Sequence, residues 1–185
     1  MRRFLAILAI ATYLVVIFAL VLLVASRFST AAADLRRRIE VALNGNELWL
    51  AFAVALTASL GSLYLSEIAH LQPCKFCWYQ RIAMYPSALI LGIAAWRNDR
   101  AVRRYVFPLA TIGGLIAAYH YLIQNFPELS TGASCDPIVP CTAALIWEFD
   151  FVSIPFMALA AFSLIIVLLA VARSNDRTLS ETESD

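Results

Sequence analysis

The chain has 185 residues, of which 62% are hydrophobic and 15% charged, and its formal net charge is +1. Soluble domains average about 45–50% apolar residues. The composition therefore excludes an ordinary soluble domain, points to an integral membrane protein, and leaves no basic surplus for nucleic acid.

Five stretches are long and apolar enough to cross a bilayer, which takes about 20 residues. They run Phe4–Ala25, Leu48–Leu71, Trp78–Trp96, Tyr105–Gln124 and Phe151–Ala172. The intervening gaps hold no soluble domain. The expected architecture is all-α: a four-helix transmembrane bundle over 48–172, preceded by one extra transmembrane helix and its linker (1–47) and followed by a polar tail (173–185).

In the first stretch, Met1-Arg2-Arg3 before an apolar run also suits a cleaved signal peptide. Cleavage would invert the later helices, so a retained helix with its N-terminus outside is the preferred reading, against the charge of Arg2 and Arg3. In the linker, Leu35, Ile39, Ala42 and Leu43 fall at helical spacing among arginines. Asp34–Leu43 is thus either a short amphipathic helix on the inner leaflet or an ordinary linker. Ser59, Gly61, Ser62 and Ser66 in the second stretch suit close helix packing. Glu67 near its end is a proton relay or a solvated interface residue, and His70 is interfacial.

The third stretch opens on Cys74-Lys75-Phe76-Cys77. A C-x-x-C at a helix start is a redox signature, because the helix dipole favours thiolate over thiol there. Arg81 lies one turn beyond Cys77 on the same face. An arginine inside a membrane helix marks a functional site, although an interfacial arginine reaching headgroups is the plainer alternative. A guanidinium there suits hydrogen bonding to a quinone oxygen and would favour a thiolate at Cys77. Trp78 and Tyr79 belong to an interfacial aromatic belt, and Pro86 is expected to kink the helix.

The loop Arg97–Arg104 holds four arginines, whereas Asn125–Asp150 holds acids and no basic residue. Positive loops stay inside, so Cys74, Cys77, Cys135 and Cys141 share the outer, oxidising face. His120, near the outer end of the fourth stretch, is a candidate to bond a quinone oxygen or take up a proton, or is a structural histidine. Cys135 and Cys141 flank a loop stiffened by Pro137 and Pro140. Bonding them would close only seven residues, giving roughly 2.4 kcal/mol of loop entropy, so a redox role suits the pair better than a structural one. A four-cysteine zinc site is the other alternative. C-x5-C with two prolines suits it poorly, and no metal is expected.

These residues carry a family resemblance. Ser62–Glu67, Pro73–Ile82, Met84-Tyr85-Pro86 and Ile154-Pro155-Phe156 resemble the DsbB-type quinone-dependent thiol oxidases, most closely their BdbC-like branch. The resemblance spans about Leu48 to Ala172. It implies a four-helix bundle around a membrane quinone (ubiquinone or menaquinone) in the bacterial cytoplasmic membrane. It also implies a thioredoxin-like partner of the DsbA or BdbD type, whose thiols are reoxidised. On this chain, Cys135 would be attacked by the partner thiol, Cys141 would pass to Cys74, and Cys77 would deliver electrons to quinone beside Arg81. The segment Met1–Glu47 is extra to that core. The alternatives are a vitamin K epoxide reductase-like enzyme, in which the two cysteine pairs come in the opposite order, and a non-catalytic membrane protein with two structural disulfides.

Overall fold

A computed structural model describes residues 2–129, 140–143 and 146–182, the last of these as backbone alone from residue 173. Among the described residues, six α-helices follow one another: α1 (Arg2–Ala25), α2 (Thr30–Leu43), α3 (Glu47–Leu63), α4 (Lys75–Arg97), α5 (Arg103–Asn125) and α6 (Ile154–Thr182). The five apolar stretches coincide with α1, α3, α4, α5 and α6. The last helix starts three residues later than expected, because Glu148 and Val152 first close a tight turn through a pair of backbone hydrogen bonds.

α3, α4, α5 and α6 form a closed ring in which each helix packs on the next. α1 lies outside the ring, against α6. Four helical segments have both the length and the apolar composition of membrane spans: Arg2–Ala25, Glu47–Ile68, Arg100–Asn125 and Ile154–Ala172. α4 has 23 residues, enough to span at 1.5 Å per residue, but its polar first turns lower its hydropathy. Large apolar side chains face outward, with Leu14, Leu89 and Leu115 each 65–67% exposed. In water such a surface would aggregate; in lipid it is the solvated face. The protein is thus an all-α membrane bundle with one additional N-terminal helix.

Small residues let the ring close. A Cβ at Gly113 would come within 2.3 Å of Phe162 and 2.9 Å of Ala83, so α5 meets α6 and α4 through a glycine. Buried Ala83, Ala110, Ala117 and Ala161 continue this contact.

α3 does not end cleanly. Its last turn widens into a π-helical segment, Tyr64–Ile68, after which His70 adopts a positive φ of 53° and the chain turns toward Cys74. Cys74 is the N-cap of α4, its sulfur accepting from the Cys77 amide. α4 continues through Pro86 and ends on Asn98 in the left-handed conformation.

The two ends of the bundle differ. One carries the arginine loop, where Arg100 donates to Asn44 after α2. The other carries Cys74, Cys77, Cys141 and the turn at Glu148. α1 begins at the cysteine end: Arg3 lies 3.8 Å from Glu148, and Tyr13 stacks on Phe156 at 4.5 Å between centroids. α2 is a helix from Thr30, capped by Ser29 and braced by Arg36–Glu40. The helical form of Asp34–Leu43 is therefore realised.

Candidate active site: a divided cysteine pair

Cys74 is buried and Cys77 half-buried, both as free thiols with sulfurs 3.1 Å apart. Three groups converge on the Cys74 sulfur: the Cys77 sulfur, the Cys77 amide at 3.4 Å, and His120 Nε2 at 3.5 Å. His120 is itself 1% exposed. Its Nε2 also lies 3.1 Å from the Cys141 carbonyl, which can only accept, so Nε2 carries the proton. Nδ1 then accepts from the Gln80 side-chain amide at 3.1 Å. The single Nε2 proton is thereby shared between the Cys141 carbonyl and the Cys74 sulfur. Phe76 holds the imidazole from the side, at 5.5 Å between ring centroids.

This setting lowers the Cys74 thiol to about 4. The hydrogen bond from Cys77 is the largest cause; burial opposes it and His120 reinforces it. The thiolate expected at Cys77 therefore belongs, in the reduced pair, to Cys74. The N-cap position gathers the Cys77 thiol and amide from its own helix, and the packing of α5 adds the His120 donor.

Cys141 is fully buried, is engaged in a disulfide, and packs with Cys74 and Ile123 in one small cluster. Cys135 lies outside the described residues.

The Cys77 side is different. A cavity of about 550 Å³ opens between α1, α3, α4 and α6, and Cys77, Gln80, Arg81, Met84 and Tyr85 line its polar end. Neither Cys74, Cys141 nor His120 lines it. Arg81 Nε donates to Ser62 Oγ at 3.0 Å and Nη2 to the Ser62 carbonyl at 3.1 Å. Its guanidinium sits 5.3 Å from the Trp78 ring centroid. The arginine thus braces the end of α3, where the π segment disturbs the regular ladder, and faces the cavity as well.

His120 stands beside Cys74 and is not among the residues that line the cavity. Glu67 is exposed, and its carboxylate accepts from Ser66. Trp78 and Tyr79 are exposed. Two contributors went unrecognised in the sequence. Gln80 is 5% exposed, and a buried amide within a membrane helix was the available signal. Ser62, read as a packing residue, is the partner of Arg81.

Cysteines and a histidine can also bind metal: Cys74, Cys77 and His120 offer ligand atoms within 4.8 Å of one another. Structural zinc requires a fourth ligand, and the nearby Cys141 is held in a disulfide.

A helix-start cysteine pair, a neighbouring disulfide and a lateral membrane cavity define a membrane thiol–disulfide protein. The family described as disulfide bond formation protein DsbB matches residues 46–172, and the chain belongs to this family. It is 49% identical to disulfide bond formation protein C of Bacillus subtilis (strain 168) over 126 residues, 68% of this chain and 91% of the relative. A probable disulfide formation protein C 1 of Bacillus anthracis is 46% identical over 69% of this chain and 92% of the relative. A probable disulfide formation protein of Coxiella burnetii (strain RSA 493) is 40% identical over 70% and 89%. No solved structure matches the chain. The protein is a disulfide-bond-forming membrane protein, which sets aside the vitamin K epoxide reductase-like and purely structural alternatives.

Proposed function

We propose that the chain is a thiol:quinone oxidoreductase that reoxidises a thioredoxin-like thiol oxidase outside the cytoplasm. The observation that carries this reading is the division of the C-x-x-C. Cys74 is buried beside Cys141 and His120 and does not line the cavity, while Cys77 packs against that cluster and also lines the cavity with Arg81.

The partner's thiolate attacks Cys135 of a Cys135–Cys141 disulfide, forming a mixed disulfide and releasing Cys141 as thiolate. The partner's second thiol resolves that mixed disulfide, so the partner leaves oxidised. Cys141 then attacks Cys74 of a Cys74–Cys77 disulfide, and Cys77 leaves as the thiolate. Bonded to Cys141, Cys74 is no longer an anion. The negative charge then rests on Cys77, on which the charge of Arg81 acts. Cys135 resolves the Cys74–Cys141 bond and restores its own disulfide. Cys74 and Cys77 are left reduced, with the thiolate on Cys74.

A quinone held at the polar end of the cavity would supply the oxidant, taking two electrons and two protons as Cys74 and Cys77 are rejoined. The cavity suits a flat apolar ring with polar edges. Arg81 and Gln80 offer donors at its polar end, and apolar side chains of α3 and α6 line the remainder. His120 serves Cys74 as a hydrogen-bond donor and not the quinone.

We assign 48–172 as the catalytic bundle, 1–47 as an additional helix and inner-face linker, and 173–185 as an inner tail. The arginine end of the bundle faces the cytoplasm and the cysteine end faces outward, by the distribution of positive charge. The test is turnover of a reduced thioredoxin-like partner by purified protein supplied with quinone. Cys77→Ser must abolish quinone reduction; unchanged reduction in that variant would overturn the mechanism.

A further inference from the structure

The unmatched remainder of each relative is shorter than α1 alone, yet in this chain α1 is built into the cavity. Leu5, Ala9, Thr12 and Val15 of α1 line it. α1 approaches α3 at Gly61, where an added Cβ would lie 3.4 Å from a Leu5 methyl. Away from Cys77 and Arg81 the cavity becomes apolar and reaches Leu50, near the start of α3. Ser62 and Leu50 are twelve residues apart on α3, about 18 Å along a helix. A redox headgroup alone fills only the polar end of such a space. A polar end continued by a long apolar passage fits a molecule with a ring at one end and an isoprenoid tail.

We infer that α1 is the tail-selectivity element of this protein: it walls an apolar passage that gives the chain a preference for long-tailed over tail-less quinones. This rests on the quinone reading above and goes beyond it, because the catalytic residues all belong to the four-helix core. The chemistry at the headgroup is unchanged by α1. What α1 adds is a close-packed apolar wall that the tail contacts by dispersion in place of mobile lipid chains.

The test is single-turnover oxidation of the prereduced full-length protein, freed of reductant. Loss of the Cys74 and Cys77 thiols is followed by mass after alkylation. Benzoquinones and naphthoquinones are supplied in tail-less, short-tailed and long-tailed forms. Partitioning of each quinone into the detergent or bilayer is common to all variants and cancels in the variant-to-wild-type ratio. In Ala9→Phe, where the added ring fills the passage, the half-saturating concentration of the long-tailed quinone is expected to rise about tenfold. The tail-less quinone should change less than twofold. Val15→Phe, further from Arg81 and at an outward position, gives the same comparison if Ala9→Phe does not fold. An equal shift for tailed and tail-less quinones, or no shift for either, overturns the inference. Oxidation of the thiols by no quinone in any variant, wild type included, overturns the quinone reading itself.

Discussion

The two sulfurs of Cys74 and Cys77 are 3.1 Å apart and live in different media. Cys74 is buried against Ile123 and Phe76, yet its sulfur meets fixed polar groups: an amide and an imidazole held by Gln80, with the Cys141 carbonyl behind it. Around Cys77 lies a cavity with Arg81 at its polar end and apolar walls beyond. The first environment stabilises a thiolate and lowers the cost of reducing the pair. The second leaves room for an apolar acceptor. The proposed relay, with protein on one side and a lipid-soluble acceptor on the other, makes use of this asymmetry, because one environment does not suit both reactions.

The largest test of the comparison is removal of one sulfur. Cys77→Ser should bring quinone reduction to background while the Cys141 disulfide remains able to exchange with a thiol partner, as seen by trapping a mixed disulfide on a gel. Loss of both activities in a folded variant would mean the two sides are not separable.

Arg81→Ala comes next. A charge-assisted hydrogen bond contributes about 1.5–3 kcal/mol, so KM for quinone should rise roughly 10–100-fold, with exchange toward the partner little changed. Arg81→Lys should recover only part of the loss, since a lysine lacks the fork that spans Ser62. Equal decline of both reactions would make Arg81 a structural brace alone.

His120→Ala probes the other side. In the reduced protein, alkylation of Cys74 should follow a thiolate with midpoint near pH 4. Loss of the imidazole donor should move that midpoint up by about 1–2 units. A thiol of about 8.5 in the unfolded chain is depressed on folding. The thiolate therefore stabilises the reduced fold fully above pH about 8.5, and this stabilisation is lost as pH falls toward 4. An unmoved midpoint in His120→Ala would remove the imidazole from this account and leave Cys77 and the helix start to carry the thiolate.

The smallest effect is expected from Ser62→Ala. It frees Arg81 Nε but keeps the backbone carbonyl bond. One neutral-acceptor hydrogen bond contributes about 1 kcal/mol, which corresponds to about a fivefold rise in quinone KM. No change would show that the carbonyl alone orients the guanidinium.

Much of this was legible from the chain. The apolar runs mark the helices because lipid demands about 20 apolar residues and internally satisfied backbone. The C-x-x-C at a helix start marks the redox pair for an equally local reason. His120 was harder. Its distance from Cys74 in the chain is 46 residues, and a single histidine near a helix end carries no sign of whether it faces cavity or cysteine. Gln80 hid because its partner is that histidine, 40 residues away in the chain. The π segment after Leu63 was invisible because its sequence, Tyr64–Ile68, carries no marker that distinguishes a π turn from an ordinary helix end.

The sequence by itself determined the membrane setting, the number of long helices, the redox pair and the arginine one turn beyond it. All of these follow from composition and from spacing within single helices. Only the tertiary structure decided which sulfur faces which medium, where the thiolate rests, and that α1 walls the cavity. Those outcomes depend on how α5 and α6 close against α4 through Gly113 and on how α1 meets Gly61. They are contacts between helices far apart in the chain, which no local pattern encodes.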